Sequence, residues 1–336
     1  EHPVTPYNAA FTPDGKRVGS VGWRMHPESK SPVGLIRVWD VETKKMVHDM
    51  DYTTHPLSSL TFSKDGSHCY IGCWEYQVAE LNMASYKIER EITPEVSPAY
   101  KAVDWVEITP DGKHLVTACK DKTAKYFDIA TGREVFSLAH GGHVTSARPT
   151  GSTWLVTSSQ DGAVRIWDAT TQKLTATLLG HDQPINCLAV TPDGARVFSA
   201  DVTGKVMVWD TREPRAFSTA YELNGGWSCV FSPDGTKIAV GTNLKTLQVR
   251  DARTGALLGS TPEFGALVVD AAWSPDGKRL AAGSNDGSLR CFDGRTLTQL
   301  WIAQGKGQIR ATDWSSDGKF IAGGDGSTGI ATVWDA

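Results

Sequence analysis

With 336 residues, 40% of them hydrophobic, and no apolar run approaching the roughly 18 residues that a spanning helix needs, the chain reads as globular and not membrane-inserted. Its 33 glycines and 21% charged residues suit a turn-rich β protein, and a net charge of -4 argues against a general nucleic-acid or anionic-membrane surface. The six cysteines, Cys69, Cys73, Cys119, Cys187, Cys229 and Cys291, lie inside apolar runs without Cys-x-x-Cys spacing, which reads as buried free thiols and leans toward a reducing compartment. The start at Glu1 suits a processed export product or an excised piece equally, so localisation stays open between cytoplasmic and extracytoplasmic.

In chain order, a tight turn recurs at Phe11–Gly15, Phe62–Gly66 and Ile108–Gly112, in degraded form at Pro149–Thr153, and again at Val190–Gly194, Phe231–Gly235, Trp273–Gly277 and Trp314–Gly318. Each is followed by a closing dipeptide: Trp39-Asp40, an eroded Leu81-Asn82, Phe127-Asp128, Trp167-Asp168, Trp209-Asp210, an eroded Arg250-Asp251, Phe292-Asp293 and Trp334-Asp335. The two series interleave with a period of roughly 40 residues, the mark of a repeat architecture whose units must stack to bury their apolar faces.

The unit at residues 185–223 shows the local logic. Ile185 to Val190 alternates, Pro192-Asp193-Gly194 supplies a turn, and Val197 to Ala200, Lys205 to Trp209 and Ala216 to Tyr221 are further β-rich runs. Proline presets φ at the first central turn position and glycine tolerates the left-handed exit, so the turn joins antiparallel strands tightly. The unit is therefore a four-stranded antiparallel sheet.

Gly180-His181, the Pro-Asp-Gly turn and the closing Trp209-Asp210 resemble the WD-repeat (Trp-Asp repeat) β-propellers over essentially the whole chain, and the Ser-Pro-Asp-Gly-Lys-Arg style of repeat looks like their bacterial members. The resemblance implies an all-β propeller, a single domain over 1–336, excised or not from something longer. Eight blades follow from the repeat count, and seven if the eroded second or fourth copy is not a blade. It also implies a buried structural tetrad of His140, Thr157, Asp161 and Trp167. In the fifth copy Thr203 stands where the tetrad aspartate is expected, and Phe127, Phe292 and Arg250 replace tryptophan elsewhere, so those blades should rely on packing. The last blade is expected to lack its outer strand, which leaves an edge near Trp334 for β-strand addition.

In that family the residues flanking the first-strand anchor and those preceding the strand-two turn form a ligand-facing top surface. Carried over by position, the flanking residues are Tyr7, Asp104, His143, Asn186, Trp227, Gln308 and Arg310, and the pre-turn residues are Trp74, Lys120, Gln160 and Asn285. Trp74, Trp227 and Arg310 are the expected anchors, since Trp and Arg dominate protein interfaces; Trp227 alternatively plugs the channel. Two insertions, residues 24–34 and 93–100, are expected as top-face recognition loops.

The remaining motifs read as structure. Gly324-Asp-Gly-Ser-Thr-Gly329 matches a dinucleotide-binding string but has β-rich flanks and no following helix, and His140-Gly-Gly-His143 lacks the further ligands of a metal site. No catalytic residue, metal or cofactor is expected. The leading reading is a non-enzymatic scaffold that binds a protein or peptide, not nucleic acid. The alternatives are a cofactor or enzyme propeller with its site in the channel and a structural module of a larger protein.

Overall fold

The computed structural model describes residues 4–26, 28–75, 77–94, 102–151, 153–211, 217–222, 228–325 and 331–336, with the backbone alone at 4–7 and 217–222. Among the described residues it contains 31 strands and no helix; hence none there is long and apolar enough to cross a membrane. The strands form eight antiparallel sheets, seven of four strands and a last one of three. The first strands of successive sheets pack against one another in a closed cycle that includes the eighth against the first, making an eight-bladed β-propeller. Blades 1 to 8 span residues 4–53, 57–92, 103–139, 144–179, 185–222, 228–260, 268–304 and 309–335.

The turns that announce each blade owe their geometry to one carboxylate. In the first, Thr12 Oγ1 and the Lys16 N–H both donate to Asp14 Oδ1, at 2.6 and 3.0 Å, while the Gly15 N–H donates to Thr12 O at 2.8 Å. Gly15 has φ +68°, the left-handed region that glycine enters without a Cβ penalty. The Ser63/Asp65 and Ser315/Asp317 turns repeat the pattern, and their hydroxyl and amide donors hold both carboxyls down at about 2. The fourth turn has no aspartate, and its pairing of Pro149 with Leu155 closes it one residue shorter than Val190 with Val197 in the fifth.

Second strands are the most deeply covered, as in Leu155 to Ser159 and Leu115 to Cys119, whereas fourth strands alternate at the rim. Apolar side chains fill the seams between blades; Val156, Val164 and Ile166 of blade 4 pack with Ile185, Leu188 and Trp209 of blade 5. The ring closes the same way, with Phe11, Val18 and Trp39 against Ala322 and Ala331. Where glycine faces such a seam a side chain has no room: a Cβ on Gly283 would stand 2.6 Å from Ile309 Cγ2. Phe127 and Phe292, which replace tryptophan, are fully buried.

Several expectations change. Cys187 and Cys229, on the first strands of blades 5 and 6, are joined by a disulfide with a Cα–Cα distance of 6.2 Å, so four cysteines and not six are free thiols. Spacing alone hid the pair, because two cysteines 42 residues apart meet only when one repeat is stacked on the next. The insertion at 24–34 lengthens strands more than it makes a loop: Arg24 pairs with Val33 and Met25 with Pro32, and Arg24 reaches Asp51 at 2.6 Å. The insertion at 93–100 lies mostly outside the described residues, as do residues 326–329 of the glycine string, which strands precede and follow.

The tetrad also differs from its sequence reading. In blade 4, Trp167 Nε1 donates to Thr157 Oγ1 at 2.9 Å and Thr157 pairs with His140 Nε2 at 2.8 Å, but His140 Nδ1 donates to Leu138 O at 2.9 Å. Asp161 turns outward to the Gly141 N–H and to Arg165. The full four-membered relay sits in blade 5: Trp209 to Ser199, Ser199 to His181, and His181 Nδ1 to Asp201 Oδ2 at 2.9 Å. Asp201, two residues before Thr203, takes the place thought vacant, and Thr203 donates to it. Burial raises the Asp201 carboxyl, but the Thr203 and His181 bonds outweigh this and bring it below the ordinary range.

Candidate functional site at the top face and channel

The face opposite the aspartate turns is here called the top. At its inner rim, among the described residues, the first strand of every blade but the sixth carries a register shift. The unpaired residue of that bulge is Tyr7 in blade 1, Asp104 in blade 3, Asn186 in blade 5 and Arg310 in blade 8. A bulge takes one residue off the ladder and re-aims it, which is how a regular sheet offers a variable side chain at its end. The pre-turn residues are pinned beside these bulges by backbone bonds to the residue preceding the anchor or its neighbour: Trp74 N–H to Pro56 O, Lys120 to Ala102, Gln160 to His143 and Asn285 to Leu267, at 2.8 to 3.1 Å.

Three expected residues meet on adjoining blades. The Lys120 ammonium lies 4.2 Å from the Trp74 ring centroid and 3.4 Å from Asp104 Oδ1. Burial pushes the Asp104 carboxyl above its ordinary value, against the pull of Lys120 and of His143 from blade 4. Beside Trp74, Glu75 is held by His55 Nδ1 and Thr53 Oγ1, each at 2.6 Å. At blade 8 Arg310 donates twice to Gln308 Oε1, at 2.9 and 2.7 Å. Gln160 and Asn186 are exposed, while Asn285 Oδ1 is buried with no hydrogen-bond partner among the described residues. Trp227 lies outside the described residues, and of Tyr7 only the backbone is described.

The channel holds residues that the sequence reading passed over. A cavity of about 460 Å³ is lined by Trp105, Glu107, Arg148, Asp270, Asp313 and Arg310 among others. Arg148 reaches Glu107 at 2.8 Å and lies 4.3 Å from the Trp105 ring centroid, and Trp105 Nε1 donates to the same Glu107 oxygen at 3.1 Å. Asp270 Oδ2 accepts the Thr312 N–H at 2.6 Å and Asp313 Oδ2 the Phe11 N–H at 2.9 Å. Ser59 does the same for the Val106 N–H. These bonds have one cause: the innermost strand of a blade presents an unpaired edge, and its amides need acceptors that the preceding blade supplies.

Enclosure by protein raises Asp270 to about 7 and Asp313 to about 6, although both side chains keep some contact with the cavity. Each accepts an amide of the next blade through Oδ2, while Asp313 Oδ1 accepts the Trp314 N–H and Asp270 Oδ1 the Ser228 hydroxyl, so the pair ties blades 7, 8 and 1 together. Among the described residues no group of three or more His, Cys, Asp or Glu is placed to hold a metal ion. The signal for these residues was charge inside runs that are otherwise apolar.

An eight-bladed ring of antiparallel sheets with a rim of bulged residues defines the class: a β-propeller. The family description "WD domain, G-beta repeat" matches residues 98–128, 132–168, 172–210, 258–293 and 296–335, more than half of the chain, which therefore belongs to the WD40 family. Apoptotic protease-activating factor 1 of Rattus norvegicus is 28% identical over 162 residues, 47% of this chain and 13% of its own length. A guanine nucleotide-binding protein subunit beta of Arabidopsis thaliana is 24% identical over 225 residues, 63% of this chain and 57% of its own. The chain thus spans less than two thirds of these relatives. The crystal structure of the computationally designed Ika8 protein superposes with a TM-score of 0.83 at 20% identity, over 100% of this chain and 97% of that one, a likeness of fold alone.

Proposed function

We propose that the protein is a non-enzymatic scaffold that binds a protein or peptide partner on the top face of the propeller. The observation that carries this reading is the convergence of Trp74, Lys120 and Asp104, from two blades, into one half-exposed cluster beside the channel mouth. An aromatic ring with a flanking charge pair is the composition of an interface anchor. The Arabidopsis relative is by its name one subunit of a guanine nucleotide-binding protein, which supports a role within an assembly. The rival reading, chemistry in the channel, is disfavoured because Asp270 and Asp313 are engaged in holding blades together and Glu107 is paired through one oxygen with both Arg148 and Trp105. The outer edge of 331–335, which among the described residues pairs on one side only, serves as a second docking place for an extended strand.

The test is capture from a source lysate on immobilised protein, comparing wild type with a Trp74→Ala/Arg310→Ala variant of unchanged melting temperature. Proteins retained by wild type alone would identify a top-face partner. Equal recovery on both would reject the top face.

A further inference from the structure

We propose that the Trp74 ring and the Asp104 carboxylate form a receptor for the alkylammonium group of a partner lysine, and that Lys120 fills it in the free protein as an internal stand-in. This rests on the top-face reading and specifies its chemistry. The ammonium of Lys120 sits where a ligand cation would, 4.2 Å from the ring centroid and 3.4 Å from the carboxylate. The two walls come from different blades and are fixed independently: Trp74 by its backbone bond to Pro56 O, Asp104 by the bulge between Val103 and Trp105. The main-chain positions of both walls therefore do not depend on the lysine.

Its occupant is easily moved. The Lys120 and Asp104 side chains are each 31% exposed, and an ion pair open to water to that degree is weak, so the four-carbon stem swings into solvent at small cost. Burial raises Asp104 despite the lysine beside it, which means the carboxylate is short of solvation and takes up another cation when Lys120 departs. Ligand sign follows from the surroundings. Asp104 and the adjacent Glu75 disfavour an acidic group, and Glu75 does not compete for the cation because His55 and Thr53 already engage it. A compact ammonium matches one carboxylate oxygen and one ring face, whereas a guanidinium would leave most of its planar fork unpaired.

The experiment labels the whole chain with 5-fluorotryptophan, assigns the Trp74 resonance by its loss in Trp74→Phe, and titrates n-butylammonium chloride against matched sodium chloride and n-butanol. In Lys120→Ala the Trp74 resonance should titrate with an affinity about tenfold tighter than in wild type, and Asp104→Asn in that background should lose about tenfold. A Trp74 resonance that responds to butylammonium no more than to butanol, or equal titrations in wild type and Lys120→Ala, would overturn the proposal. No partner is needed for this readout. Loss of capture by Trp74→Ala/Arg310→Ala together with silence toward butylammonium would keep the binding face and reject the lysine receptor.

Discussion

Removing the Cys187–Cys229 disulfide should lower stability by an amount that its loop length sets. The bridge closes a separation of 42 residues, for which chain entropy gives about 4 kcal/mol. Unfolding entropy scales at ~2.1 cal/mol/K per residue, about 0.7 kcal/mol/K for a chain of 336, so the melting temperature should fall by about 6 °C. The assay is thermal unfolding of wild type with and without reductant, beside a Cys187→Ala/Cys229→Ala variant. Reduced wild type should melt with the variant, and reductant should leave the variant where it is. Alkylation of the unreduced, urea-unfolded chain should mark four thiols, Cys69, Cys73, Cys119 and Cys291. Six reactive thiols, or a melting point indifferent to reductant, would refute the reasoning.

Further outcomes follow from the buried polar groups. Ser199→Ala should cost about 2–4 kcal/mol in urea unfolding, because it orphans both His181 Nε2 and Trp209 Nε1 in blade 5. His140, lowered by burial and by Arg165 to about 4, is neutral when folded; its contribution is complete above pH 6.5 and is lost as pH falls toward 4, about 2 kcal/mol by pH 5. His140→Gln should accordingly flatten the fall of the urea midpoint between pH 7 and pH 5. The sign reverses for Asp270: its raised carboxyl favours the folded chain at low pH and this advantage declines up to about pH 7, so Asp270→Asn, which keeps an acceptor for Thr312, should gain on wild type between pH 5 and pH 8.

What the sequence revealed was whatever repeats. The aspartate turns and closing aromatic-Asp pairs fixed eight blades, and the same register led to Asp104, Asn186 and Arg310, which are the bulge residues. What it concealed was contact between repeats. The disulfide joins non-equivalent positions of neighbouring strands, Arg148 meets Glu107 across a blade seam, and Asp270 caps a backbone amide that no side-chain pattern announces. Asp201 was missed for a smaller reason: a strict spacing put the tetrad acid at Thr203, whereas a carboxylate two residues earlier reaches His181 from the strand end. Lys120 is visible as a charge in the sequence, but its place between Trp74 and Asp104 needs the angle between two blades.

The central claim, that partners dock on the top face, is tested most directly by photo-crosslinking with a reactive residue placed singly at Gln160, at Asn186, or at the exposed rim positions Leu257 and Leu300. Crosslinks to a captured protein from Gln160 and Asn186, absent from the rim sites, are the predicted result. Crosslinks from Leu257 or Leu300 alone would contradict it.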